Sequence, residues 1–135
     1  MEEELIKITP DKERVKSILE MVILRQKRID MNKGEEFSTL LVEDYYEIIK
    51  ELATATINLD GYKTLSHKIL FDYLQENYKE FELSETEFMQ DIRKTRNKVV
   101  YEGFFIKPIY LDRNKIIIEL IIKKLKSLIN KKLDN

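Results

Sequence analysis

The chain has 135 residues, 43% of them hydrophobic and 36% charged, with a formal net charge of −1; this length suits one domain with its own core and a heavily charged, soluble surface. The absence of cysteine excludes disulfides, thiol nucleophiles and cysteine-built metal sites. No apolar run approaches the roughly 20 residues of a membrane span, and the acidic start Met1-Glu2-Glu3-Glu4 is the opposite of a signal peptide's basic one, so a cytoplasmic protein away from the membrane is expected.

Three glycines and two prolines leave few turns, which favours a few long elements and therefore an all-α, antiparallel up-and-down bundle of about five helices over residues 1–135. Thr9 and Pro10 suit the start of a first helix. Val15, Ile18, Leu19, Val22 and Ile29 carry its helical period to Met31, and Asn32-Lys33-Gly34 closes it. A second helix is expected from Glu36 to Asn58, with Leu40, Leu41, Tyr45, Ile48, Leu52 and Ala55 inward, ended by Asp60-Gly61. A third covers Leu65 to Tyr78. A fourth opens on Ser84 with Glu87 three residues later, the pattern of a capping box, and runs through Phe88, Ile92 and Val99 to Val100. From Tyr101 to Leu111 the apolar residues crowd around Pro108 without periodicity, which suggests a packed loop. Asp112 then caps a last helix to Leu133. Its Ile116, Ile117, Ile118, Leu120, Ile121 and Ile122 are too many for one stripe, as expected of a central helix or one facing a second chain.

The near-neutral total conceals a division of charge. Residues 1–90 carry 12 Lys/Arg against 20 Asp/Glu, a net of −8, and residues 91–135 carry 12 against 5, a net of +7. A basic last third on an acidic body suits either a phosphate-rich ligand or complementarity within the molecule. There is no phosphate-binding glycine loop, dinucleotide turn or nucleophile elbow, and no metal or cofactor is expected. His67, the only histidine, reads as a polar residue near a helix N-terminus rather than a general base. Glu43 and Glu47, with Asp44, form an acidic cluster whose first and last members project from one side of the second helix. They are expected to be solvated or to pair with the basic part of the fourth.

That basic part, Arg93-Lys94-Thr95-Arg96-Asn97-Lys98, holds the most specific signal. Arg96 falls four residues after Ile92 and three before Val99, on the apolar stripe. A guanidinium aimed at the packed side needs a partner. Either a carboxylate such as Glu47 meets it, or it lines a crevice for phosphate, which its fork binds bidentately.

A helical bundle whose fourth helix ends in Arg-Asn, an apolar pair, an aromatic and Glu-Gly resembles the HEPN domain family (higher eukaryotes and prokaryotes nucleotide-binding). That family's motif is Arg, a polar residue, three residues and His. Arg96 and Asn97 match the first two positions, Lys98-Val99-Val100 fill the spacer, and Tyr101 stands where the histidine would be. The Asp60-Gly61-Tyr62-Lys63 and Ser66-His67-Lys68 stretches are also similar to stand-alone prokaryotic members. The resemblance implies a homodimer with paired motifs in one cleft, a minimal nucleotidyltransferase as partner in a toxin–antitoxin pair, and RNA or nucleotide as ligand. It carries the catalytic positions to Arg96 and Asn97, with Tyr101 in the histidine's place; the candidate ligand contacts of the basic segment are Arg93, Arg96, Lys98 and Tyr101. A phenol with an ordinary pKa near 10 replaces an imidazole poorly as a base at neutral pH. The expected function is therefore a nucleotide-, RNA- or partner-binding module with impaired catalysis. The alternatives are a metal-independent endoribonuclease using Arg96 and Asn97, and a dimeric helical scaffold without a ligand.

Overall fold

The computed structural model describes residues 4–135 and is an all-α bundle with one small two-stranded addition. Helix α1 spans Lys12–Met31, α2 Ser38–Leu59, α3 His67–Asn77, α4 Leu83–Glu102 and α5 Ile109–Leu133. Long amphipathic segments with short connections pack antiparallel because each must bury one apolar face against its neighbours. Helix α2 is the axis: it packs against α5 and α1 most extensively, then against α4 and α3, while α3 lies on α4. Its Tyr46, Ile48, Ile49, Leu52 and Ala53 are fully enclosed, each large side chain contributing roughly 1.5–3 kcal/mol by its removal from water. No helix among the described residues is long and apolar enough to cross a membrane.

The element order matches the sequence reading, but several boundaries differ for local reasons. Asp11, not Thr9, caps α1, its carboxylate accepting from the Arg14 N–H at 3.0 Å. The Asn58 side chain in turn accepts from the Asp11 N–H at 2.8 Å, so the end of α2 fixes the start of α1. A single 3-10 turn, Glu35–Phe37, precedes α2. The capping box of α4 lies two residues earlier than Ser84 and Glu87 suggest: Glu82 is the cap and Glu85 the reciprocal partner. Glu85 wins that role because Lys124 of α5 reaches its Oε1 at 2.7 Å, giving the buried carboxylate a counter-charge that Glu87 lacks.

Helix α4 also continues past Val100 to Glu102 and stops at Gly103, whose φ of 66° is left-handed. The segment after it is apolar, yet only Ile106 is buried. Phe104 and Phe105 are 53% and 82% exposed, so the expected packed loop is anchored at one residue. The Ile106 N–H donates to Thr39 Oγ1 at 2.8 Å. Helix α5 begins at Ile109 rather than behind Asp112, and its abundance of isoleucine divides. Ile118, Ile121, Ile122, Leu125, Leu128 and Ile129 enter the core, while Ile116 and Leu120 stay exposed. Leu40, expected inward on α2, is likewise exposed.

The two-stranded addition has no counterpart in the sequence reading. Strand β1 (Ile6–Lys7) pairs antiparallel with β2 (Tyr62–Lys63), Ile6 opposite Lys63. Gly61 enters β2 at φ 91°, and its carbonyl accepts from the Ile8 N–H at 2.8 Å. Two residues per strand are too few to show an alternating pattern.

Candidate functional site

The residues that carry charge on the open side of α2 meet α3 and α4 at one place, and Tyr46 is its platform. Tyr46 has a fully buried ring set edge-on to Phe71, with centroids 6.1 Å apart. Its hydroxyl is 2.7 Å from Nδ1 of His67, the first residue of α3. The guanidinium of Arg96 lies over the same ring, 5.4 Å from its centroid. One side chain of α2 thus holds an imidazole from α3 and a guanidinium from α4, because Ser66 caps α3 and so fixes where His67 begins it.

Glu47 completes the cluster. Its Oε1 accepts from Arg96 at 3.2 Å and its Oε2 from Lys50 at 2.8 Å. The pairing foreseen between the basic segment and an acid of α2 therefore falls on Glu47. Glu43 makes no ion pair among the described residues and borders a shallow groove with Arg28 and Leu40. Arg96 and Glu47 keep 21% and 19% of their side-chain surface, so the pair is reachable from solvent.

The electrostatics carry an excess of positive charge. Lys50, Arg93 and Arg96 all act on His67, against the single carboxylate Glu47. Burial, and then Lys50 and Arg96, lower the His67 pKa and keep the imidazole neutral near pH 7. Burial raises the Tyr46 hydroxyl well above the ordinary phenol range, the opposing arginines notwithstanding. For Glu47, burial works upward but is outweighed by the hydrogen bond and charge of Lys50 with the charges of Arg96 and Arg25, so its pKa is lowered. Arg93 donates to Gln90 Oε1 at 3.0 Å, and Gln90 donates onward to Asp72 of α3.

The remaining members of the sequence-derived set are placed differently. Asn97 is half-buried, one residue beyond Arg96 on α4. Lys98 is exposed and lies 6.0 Å from the Phe104 ring centroid, away from the cluster. Tyr101 is 76% exposed. Because α4 is regular through Glu102, five residues turn Tyr101 some 140° from Arg96, so the motif's ends do not converge within one chain. Tyr46 and Lys50 were not among the residues singled out from the sequence, and His67 was singled out there only as a polar residue near a helix N-terminus. Lys50 was detectable as the i,i+3 partner of Glu47, but nothing in the spacing of His67 reveals that α3 folds back onto Tyr46.

Two further features delimit the site. A groove of about 860 Å³ between α1, α2 and α5 shares none of these residues, and Asp30, Glu119 and Asp134 line it together with Lys123, Lys126 and Lys131. Among the described residues no group of three or more His, Asp or Glu side chains is arranged to hold a metal ion. In comparison with known proteins, the chain matches no family model, no curated protein and no solved structure.

Proposed function

We propose that the chain is a HEPN-like helical module that binds the phosphates of RNA or of a nucleotide at Arg96. The observation that supports this most directly is the clustering of Lys50, Arg93 and Arg96 about His67 and the Tyr46 ring, where Glu47 is the carboxylate that pairs with Lys50 and Arg96. An incoming phosphate can exchange for Glu47 on one edge of the Arg96 fork, while Tyr46 holds the guanidinium plane from behind. Arg93 and Asn97 flank that approach on α4. Lys98 belongs to the outer surface in this reading, and its part is a diffuse attraction for the nucleic-acid backbone.

Pairing of two copies belongs to the same reading. Tyr101, Phe104 and Phe105 are exposed where α4 ends, and a second copy would give them apolar cover while bringing two Arg96 clusters together. A minimal nucleotidyltransferase is the partner that the resemblance suggests. Pairing is read from the molar mass in solution, which the proposal expects to be twice that of the chain.

The binding test uses a fluorescent single-stranded oligoribonucleotide and AMP. Arg96→Ala removes one charge-assisted contact, and the expected loss of affinity is roughly 10- to 100-fold with the helical circular dichroism unchanged. Binding that survives this substitution at full strength rules the reading out.

A further inference from the structure

We infer that the hollow between α1 and α2 at Leu40 is a docking site for a short amphipathic helix of a partner protein, basic along the edge that meets α2. The hollow encloses about 310 Å³ and shares no residue with the Arg96 cluster. The buried Leu41 and the partly buried Phe37 give it an apolar base, and Arg28, Glu43 and Asp44 also line it. Leu40 stands beside them with 56% of its surface in water.

The apolar surface continues along α1. Met21, Leu24 and Met31 are exposed, and with Arg28 their spacing of three, four and three residues puts them on one face. From Met21 to Met31 this face runs about 15 Å, roughly three turns of a facing helix. A helix laid in a groove is held by apolar residues one turn apart in this way. Methionine suits such a surface because its unbranched side chain adapts to what it meets.

Charge identifies the occupant. Arg25 donates to Glu51 at 2.8 Å and Arg28 is paired with Asp44, so both cations that α1 directs at α2 are already neutralised. Glu43, on the border of the hollow, makes no ion pair among the described residues. Glu20, Glu35 and Glu36 in the adjoining turns are exposed and equally without an ion pair, and Lys27 is the unpaired base of the same stretch. A surface with this balance repels phosphate-bearing ligands and anionic lipid. A second copy docked about a two-fold axis would bring Glu43 and Asp44 close to their own equivalents, because such an interface uses the same patch on both sides. A cationic helix meets neither obstacle. One of its apolar side chains enters the hollow, and a Lys or Arg one turn away reaches Glu43, itself one turn from Leu40 on α2.

The experiment titrates the full chain into two fluorescein-labelled helical peptides, each three turns long with leucine at every third or fourth position. Lysine flanks the leucines in one peptide and glutamate in the other. Anisotropy reports affinity, light scattering the molar mass, and circular dichroism the fold. The lysine peptide is expected to bind, and the glutamate peptide to bind roughly tenfold more weakly. Leu40→Ser, at an exposed position, is expected to keep the helical signal and to weaken the lysine peptide roughly tenfold, as removal of one leucine from a buried contact does. Glu43→Lys is expected to weaken it about fivefold and to strengthen the glutamate peptide by a similar factor, an exchange that the overall acidity of the chain would not produce. Arg96→Ala is expected to leave both affinities unchanged. Equal affinity for the two peptides, or none for either, overturns the inference. So does binding of the lysine peptide that Leu40→Ser and Glu43→Lys leave at full strength. A doubled molar mass of wild type that becomes single in Leu40→Ser assigns the face to a second copy and overturns it as well.

Discussion

Arg96 keeps about a fifth of its surface, with Glu47 on one side and the Tyr46 ring beneath it. A guanidinium over a largely desolvated aromatic face gains about 2 kcal/mol, and the carboxylate supplies a charged hydrogen bond. The residue is therefore held in place before any ligand arrives, which spares the ligand the entropy of ordering a long side chain. In the proposed reading, Glu47 competes with the phosphate for the same fork. Glu47→Gln should thus tighten RNA binding by about 1 kcal/mol, roughly fivefold, as read by anisotropy, and weaker binding would show that Glu47 serves the ligand rather than opposing it. The pH dependence of stability follows from the two lowered pKa values. His67 resists protonation in the fold, so its contribution is complete above the ordinary histidine pKa and is lost as pH falls and the unfolded chain takes up the proton. Glu47, also lowered, contributes above the ordinary glutamate range and loses that contribution as pH falls below it. Urea melts between pH 7 and 5 should therefore decline less steeply for His67→Gln than for wild type. Much of this was legible beforehand in Arg96 itself, since a charged residue on an apolar stripe demands an explanation. His67 was not, because its role depends on a contact with Tyr46 across 21 positions of sequence.

At the level of elements, α4 decides what the basic segment can present. Its start is set by Glu82 and Glu85, with the Glu85 carboxylate held by Lys124. A capping box two residues out of place in the sequence reading shows the limit of local patterns. Ser84 and Glu87 satisfy the same spacing, and only a lysine from α5 selects between them. Replacing Glu85 by Ala removes the reciprocal cap and a buried charged hydrogen bond, and a loss of about 2 kcal/mol in urea denaturation is expected. The far end of α4 is set by Gly103, where an added Cβ would meet nothing within 4 Å. Gly103→Ala therefore reports only the left-handed backbone, and should cost about 1 kcal/mol with RNA affinity unchanged. Because that stop falls after Glu102, Tyr101 belongs to the helix and faces away from Arg96. Whether a helix ends at residue 100 or 102 is beyond what periodicity resolves, yet here it separates two halves of a motif.

Across the whole molecule, the basic last third divides into two groups of side chains. The lysines of α5 complement the body: Lys124 meets Glu85, and Lys132 meets Asp60, which also accepts from the hydroxyls of Tyr73 and Tyr78. Asp60 thereby joins the ends of α2, α3 and α5. Asp60→Ala should cost about 3–5 kcal/mol, the range for breaking a partly buried charged network, while folded protein still binds RNA. The arginines of α4 have fewer such partners among the described residues: Arg96 meets Glu47, and Arg93 donates to Gln90. Composition alone could not separate these two populations, because it counts charges without saying which helices face each other. The proposed function turns on whether Arg96 neutralises a phosphate. The most direct measurement is the affinity of wild type and Arg96→Ala for a single-stranded oligoribonucleotide over a range of salt concentrations. Each phosphate neutralised on a single strand contributes about 0.7 to the slope of log affinity against log salt. Loss of about that much slope in Arg96→Ala, together with weaker binding, is the predicted result. An identical slope and affinity in the two proteins would contradict it.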